Sequence, residues 1–143
     1  MRLLVVDDET DIVFFLSLFL KESGHDVDEA YDGIEAVARI RGNSYDVAII
    51  DAVMPNMNGP EVCKFIKSHN PGTYVIGMSA YPDSLKKLKN EGADICFPKP
   101  FSIEQIKDAI KYQFHLSLSP TNSSGEESSR QIPKKSERQR LIE

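Results

Sequence analysis

A chain of 143 residues that is 41% hydrophobic and 27% charged has material for one domain with a sizeable core, and its composition argues against both wholesale disorder and a membrane protein. The net charge of −5 is unevenly spread. Residues 1–116 hold 12 Lys and Arg against 18 Asp and Glu, a net of −6, while residues 117–143 hold 5 against 4, a net of +1. An acidic domain with no basic stripe argues against direct nucleic-acid binding.

Leu3–Val6 reads as a buried strand. It stops at acids and no small-residue cleavage site follows, so it is not the core of a signal peptide and the expected location is the cytoplasm. The stretch Ile12–Leu20 is the longest apolar run, but Ser17 interrupts it and it falls far short of the roughly 20 residues a bilayer needs. It is expected to be a helix with Ile12, Phe15, Leu16, Phe19 and Leu20 on one face, and with Phe14 and Leu18 on the side of Lys21 and Glu22. Asp26–Ala30 is the second strand, and Asp32 with Glu35 fits a capping box for the helix after it. Val47–Ile50 is the third strand; "VMPNMNGP" then leads into a helix, with Gly59 and Pro60 serving its backbone geometry. Tyr74–Met78 and Ile95–Phe97 complete the strands, and Gly24, Gly42 and Gly92 sit where helices should stop. Ser102 with Gln105 predicts a second capping box, opening a helix whose apolar face is Ile103, Ile106 and Ile110.

Strand and helix alternate five times, which predicts an α/β domain: a three-layer, doubly wound (βα)5 fold with a five-stranded parallel sheet and right-handed crossovers. The pattern ends at Leu116. Residues 117–143, "SLSPTNSSGEESSRQIPKKSERQRLIE", are nearly free of apolar side chains, so they are expected to form a disordered tail or the start of an interdomain linker. The domain is accordingly expected to span residues 1–116.

In an open parallel sheet all strands end at one edge, and ligands bind outside their carboxyl ends. The sequence brings Asp7 and Asp8 to that edge from strand one, Asp51 from strand three, Ser79 from strand four, and Lys99 followed by Pro100 from strand five. Carboxylates packed this closely repel unless one takes up a proton or a cation joins them. With oxygen ligands only, and no His or Cys among them, the hard cation Mg²⁺ is the natural guest. An N-cap role would explain Asp8 alone, but not Asp51 and Lys99 at the same edge. A metal beside a carboxylate and an ammonium suits phosphoryl transfer, with Asp51 attacking, Asp7 and Asp8 holding the metal, Lys99 neutralising charge and Ser79 hydrogen-bonding a phosphoryl oxygen.

These residues carry a resemblance. "VVDDE" at 5–9, "DVAIIDAVMPNMNG" at 46–59, "MSAY" at 78–81, "GAD" at 92–94 and "KPF" at 99–101 resemble, in order, the motifs of response-regulator receiver domains in two-component signalling. The resemblance implies the flavodoxin-like strand order 2-1-3-4-5, which the doubly wound class shares with chemotaxis receivers. It implies Mg²⁺ or Mn²⁺ held by Asp7, Asp8, Asp51 and the backbone carbonyl of Val53. Asp51 would be the phosphoacceptor, Ser79 the switch hydroxyl and Lys99 the phosphate-sensing lysine, preceding a cis proline. The implied donor is a sensor histidine kinase or a histidine phosphotransfer protein, docking at Asp11, Ile12, Phe15, Pro100 and Phe101. The implied output is a change in the helix 4, strand 5 and helix 5 surface, read by a partner or output domain that the residues do not identify, with homodimerisation left open. Such a protein is a phosphoacceptor switch, catalysing only its own phosphorylation and dephosphorylation.

One position departs from the family. An aromatic residue usually stands three before the lysine, where this chain has Cys96; Phe97 beside it should point to the opposite face. The loop after Ser79 is therefore expected to reorganise without an aromatic swing at 96. Cys63 and Cys96 lack metal spacing and read as reduced, packed residues, and His25, His69 and His115 as surface residues. Two other classes fit less well. A dehalogenase-type phosphohydrolase wants Asp-x-Asp after strand one, and a flavin or nucleotide module wants a Gly- or hydroxyl-rich phosphate cradle there; "DDET" is neither.

Overall fold

The computed structural model describes the backbone of residues 1–118 and the side chains of residues 1–113. Elements follow in strict alternation: β1 Arg2–Val6, α1 Thr10–Glu22, β2 Asp26–Ala30, α2 Gly33–Gly42, β3 Val47–Asp51, α3 Gly59–His69, β4 Tyr74–Ser79, α4 Pro82–Asn90, β5 Ile95–Pro98 and α5 Ile103–Leu118. All strand pairs are parallel, in the order β2-β1-β3-β4-β5, so strand order reverses beside β1. Contacts divide the chain into residues 1–101, which hold the whole sheet with α1–α4, and the residues from Ser102 on, which begin with α5.

Side-chain alternation along the strands sorts the core of residues 1–101. Leu4, Val6, Ala48, Ile50, Val75 and Cys96 join Ala36 and Ile40 of α2, Val62, Cys63 and Ile66 of α3, and Leu88 of α4 in one buried cluster. The alternate residues Leu3, Val5, Ile49, Ile76 and Phe97 are buried too and belong to the other face. There α1, which packs on β1 and β2, contributes Val13, Leu16 and Leu20. A sheet covered on both faces explains the unbroken apolar runs of β1, β3 and β4.

Strand ends differ from expectation by one residue where it matters: Asp51, Ser79 and Pro98 are the last residues of their strands rather than the first of the loops. Helix punctuation is mixed. Ser102 and Gln105 form both halves of their box (3.2 and 2.9 Å). The Asp32 carboxylate accepts the Glu35 N–H at 2.7 Å, but the reciprocal bond of the expected box is not made. A box the sequence reading passed over, Asn58 with Glu61, opens α3. Gly24 and Gly92 follow helices with positive φ (+92° and +108°), which only glycine adopts freely. Within residues from Ser102 on, Ile103, Ile106 and Ile110 are buried, and α5 continues two residues past the expected end of the domain. The expectation for residues 119–143 lies outside the described residues.

Candidate functional site

The carboxyl edge of the sheet gathers the acids. β1 delivers Asp7, fully buried, and exposed Asp8; β3 delivers Asp51, 5% exposed; carboxylate oxygens of all three lie within 4.8 Å of one another. Lys99, entering from beyond β5, places its ammonium 3.0 Å from Asp7 Oδ2, 3.0 Å from Asp51 Oδ1 and 3.0 Å from Glu9 Oε1. Its backbone N–H donates to the Ser79 carbonyl at 2.9 Å, which joins the ends of β4 and β5, and the Lys99–Pro100 peptide is cis.

Local backbone chemistry sets this arrangement. The Glu9 N–H donates to Asp7 Oδ1 at 3.0 Å, fixing the first carboxylate at the turn into α1. Behind Asp51 the loop 52–58 doubles back, and the Gly59 N–H donates to the Ala52 carbonyl at 2.9 Å. A Cβ on Gly59 would stand 2.3 Å from the Asp51 carbonyl oxygen, so only glycine lets α3 start this close to the acid's strand.

Electrostatically the site is short of positive charge. Burial, then repulsion from Asp7, pushes Asp51 up to about 6 against the pull of Lys99. Asp7 is also raised, chiefly by burial, which outweighs the Glu9 N–H and Lys99. For Lys99, burial would lower the ammonium, but Glu9, Asp7 and Asp51 together outweigh it and hold the group protonated. A second cation would relieve the acids. All the donors are hard oxygens, and two ligands on one Mg²⁺ stand at most about 4 Å apart, so a cluster within 4.8 Å suits that ion after slight closure. The residues present thus fit a small divalent cation.

The other expected residues are placed as follows. Ser79 is buried one position beyond Met78, the register partner of Asp51, and its Oγ accepts the Tyr81 N–H at 3.0 Å. Val53 is half exposed in the loop after Asp51. Asp11, Ile12, Phe15, Pro100 and Phe101 line one surface cavity of about 580 Å³ together with Glu9, Ala80 and Lys99, so an apolar groove opens directly onto the ammonium. Cys96 sits under α4, its thiol donating to the Leu85 carbonyl at 3.8 Å, while Phe97 lies outside that cluster. Phe14 and Leu18 are exposed at 68% and 43%. Cys63 is a free, buried thiol pushed up to about 12 by burial.

The sequence profile of the response regulator receiver domain matches residues 3–111. The chain belongs to that family.

This receiver domain is 35% identical over 112 residues to "Response regulator ArlR" of Staphylococcus saprophyticus, an alignment covering 77% of this chain and 50% of that protein. The chain thus spans about half the length of the curated relatives it matches. Among solved structures it is similar to the Francisella response regulator 1452 receiver domain (32% identity, TM-score 0.74, covering 81% of this chain and 98% of that one). It is also similar to the response regulator TrrA of Thermotoga maritima in complex with Mg(2+)-BeF (33% identity, TM-score 0.72, covering 78% and 97%). Both the family and the strand order match the expectations drawn from the motifs.

Two contacts of this receiver were not read from sequence. Glu9 was seen only as part of a motif, and Tyr81 only as flanking Ser79. The one signal for Glu9 is its residue type at a helix N-cap.

Proposed function

We propose that this receiver takes a phosphoryl group onto Asp51 from a phosphohistidine of a sensor histidine kinase or a histidine phosphotransfer protein, and so acts as a cytoplasmic switch. One observation carries the reading: a buried carboxylate at the end of a central strand, raised to about 6, touches a partly buried ammonium and lies within 4.8 Å of two more carboxylates.

Asp51 contributes the oxygen that forms the new P–O bond as the P–N bond to the donor imidazole breaks, the imidazole leaving with the electron pair. Lys99 holds an ammonium where negative charge on the phosphoryl oxygens accumulates. Asp7, Asp8, Asp51 and the Val53 carbonyl would hold Mg²⁺ or Mn²⁺, which when bound neutralises phosphoryl charge and fixes its orientation. Ser79, released from the Tyr81 N–H, has a hydroxyl to donate to a phosphoryl oxygen. That exchange pulls on the β4–α4 loop and hence on α4 and β5, with no aromatic side chain at Cys96 to report it. Hydrolysis, with water attacking phosphorus, returns the Asp51 carboxylate and phosphate. The groove of Ile12, Phe15, Pro100 and Phe101 suits the apolar face of the donor's helix.

The test is incubation with acetyl phosphate and Mg²⁺, followed by intact mass. The proposal expects one added phosphoryl group, lost with EDTA and in Asp51→Asn. Phe15→Ala should slow transfer from a kinase while leaving acetyl phosphate labelling unchanged. Absence of Mg²⁺-dependent labelling in the wild type would contradict it.

A further inference from the structure

Glu9 occupies a position for which its residue type is a poor choice. It is the N-cap of α1, with extended backbone (φ −81°, ψ 104°), yet its side chain makes no cap hydrogen bond. Asp, Asn, Ser and Thr are preferred there because their short side chains reach the free N–H groups of the first turn. Glu9 instead sends its carboxylate across the site mouth to Lys99 Nζ at 3.0 Å, while its own N–H is tied to Asp7 Oδ1. A broken local rule with a specific partner on the other side is the pattern expected of a functional residue.

Lys99 then has no N–H to spare: its three donors meet Asp7, Asp51 and Glu9, each at 3.0 Å. The proposed function, on which this inference rests, asks Lys99 to donate to a phosphoryl oxygen on Asp51, so one of the three bonds must be given up. Asp7 is wholly buried and would keep only the Glu9 N–H among its contacts with the protein, which is costly. Asp51 is the reacting group. The Glu9 side chain is 61% exposed, and water would replace Lys99 at once. We propose that Glu9 is a resting-state clamp, a positioning residue that occupies the third donor of Lys99 and is the contact surrendered when the phosphoryl group arrives.

The clamp predicts that Glu9→Ala speeds labelling by acetyl phosphate at saturating Mg²⁺ about two- to fivefold, as expected for loss of an exposed ion pair from the ground state alone. Glu9→Asp decides how it acts. Aspartate keeps the charge but is one methylene shorter and can turn to the helix's own N–H groups, so it should match Glu9→Ala. Unchanged or slower labelling in Glu9→Ala would overturn the clamp, and so would wild-type rates in Glu9→Asp, which would mean that only the local charge matters. If the wild type itself takes no label, the phosphoacceptor reading fails and the clamp with it; if the wild type is labelled, failure of the Glu9 variants counts against the clamp alone.

Discussion

Toward the amino edge of the sheet Asp28, Asp46 and Asp94 each have their own donors. Asp28 accepts the Tyr45 hydroxyl at 2.6 Å and Arg2 at 3.2 Å; Asp46 accepts the Arg2 backbone N–H at 2.8 Å. Asp94 takes Lys67 at 2.9 Å and the Val75 N–H at 2.8 Å. Asp28 is accordingly held below the usual carboxylate range, by the Tyr45 hydroxyl first and then by Arg2 against a burial cost. At the carboxyl edge Lys99 is, among the described residues, the one cation shared by Asp7, Glu9 and Asp51, Asp8 stands beside them, and Asp7 and Asp51 are pushed up. The same residue types close a structure at one edge and leave it short of positive charge at the other. Shifted carboxylates by themselves would not single out a site, because ion pairs shift them too; the direction of the shift separates the two edges.

The largest difference should come from deleting the cation at each edge. In metal-free buffer at neutral pH, Lys99→Ala should cost about 2–4 kcal/mol in urea unfolding, because it strands buried carboxylates that can recover only by taking up protons. Arg2→Ala, in a half-exposed pair, should cost about 0.5–1 kcal/mol. Equal losses would erase the distinction. Deleting an acid should then give opposite signs. Asp51→Asn should stabilise the metal-free protein by about 1–3 kcal/mol at pH 8, the worth of a carboxylate raised from its ordinary value to about 6. Asp28→Ala should destabilise by about 1 kcal/mol through the lost Tyr45 bond.

The pH profile sharpens the same contrast more gently. A raised carboxylate keeps its proton in the folded state after the unfolded chain has released it. Stability of the metal-free protein should therefore fall as pH rises from about 4 to about 6 and level off above, and excess Mg²⁺ or Asp51→Asn should flatten that fall. Asp28 works in the other direction. Its contribution is present above the unfolded value and disappears as pH drops through its depressed folded value, so Asp28→Ala should remove stability lost only in acid.

The amino edge was almost wholly illegible in the sequence, and the carboxyl edge largely legible, for a physical reason. Asp7, Asp51, Ser79 and Lys99 each sit at a strand end that hydrophobic runs announce, and a parallel sheet brings all such ends to one side. Tyr45, which donates to Asp28, Asn43, which accepts from Arg2, and Thr73, which donates to the Tyr45 carbonyl, sit in loops whose partners are fixed by tertiary approach and leave no period or spacing. Glu9 falls between these cases: its chain position was plain, but its partner lies 90 residues away, and only the missing cap bond points to it. The one-residue error at the ends of β3 and β4 has a similar origin, since a polar residue closing a buried strand reads as loop until its ladder partner is known.

The most direct test maps the phosphoryl group itself. After labelling with acetyl phosphate and Mg²⁺, borohydride reduction converts a phosphorylated aspartate to homoserine, which peptide mass spectrometry locates. The account predicts homoserine at position 51 alone. Homoserine at position 7 or 8, or at an acid of the amino edge such as position 28, would contradict it.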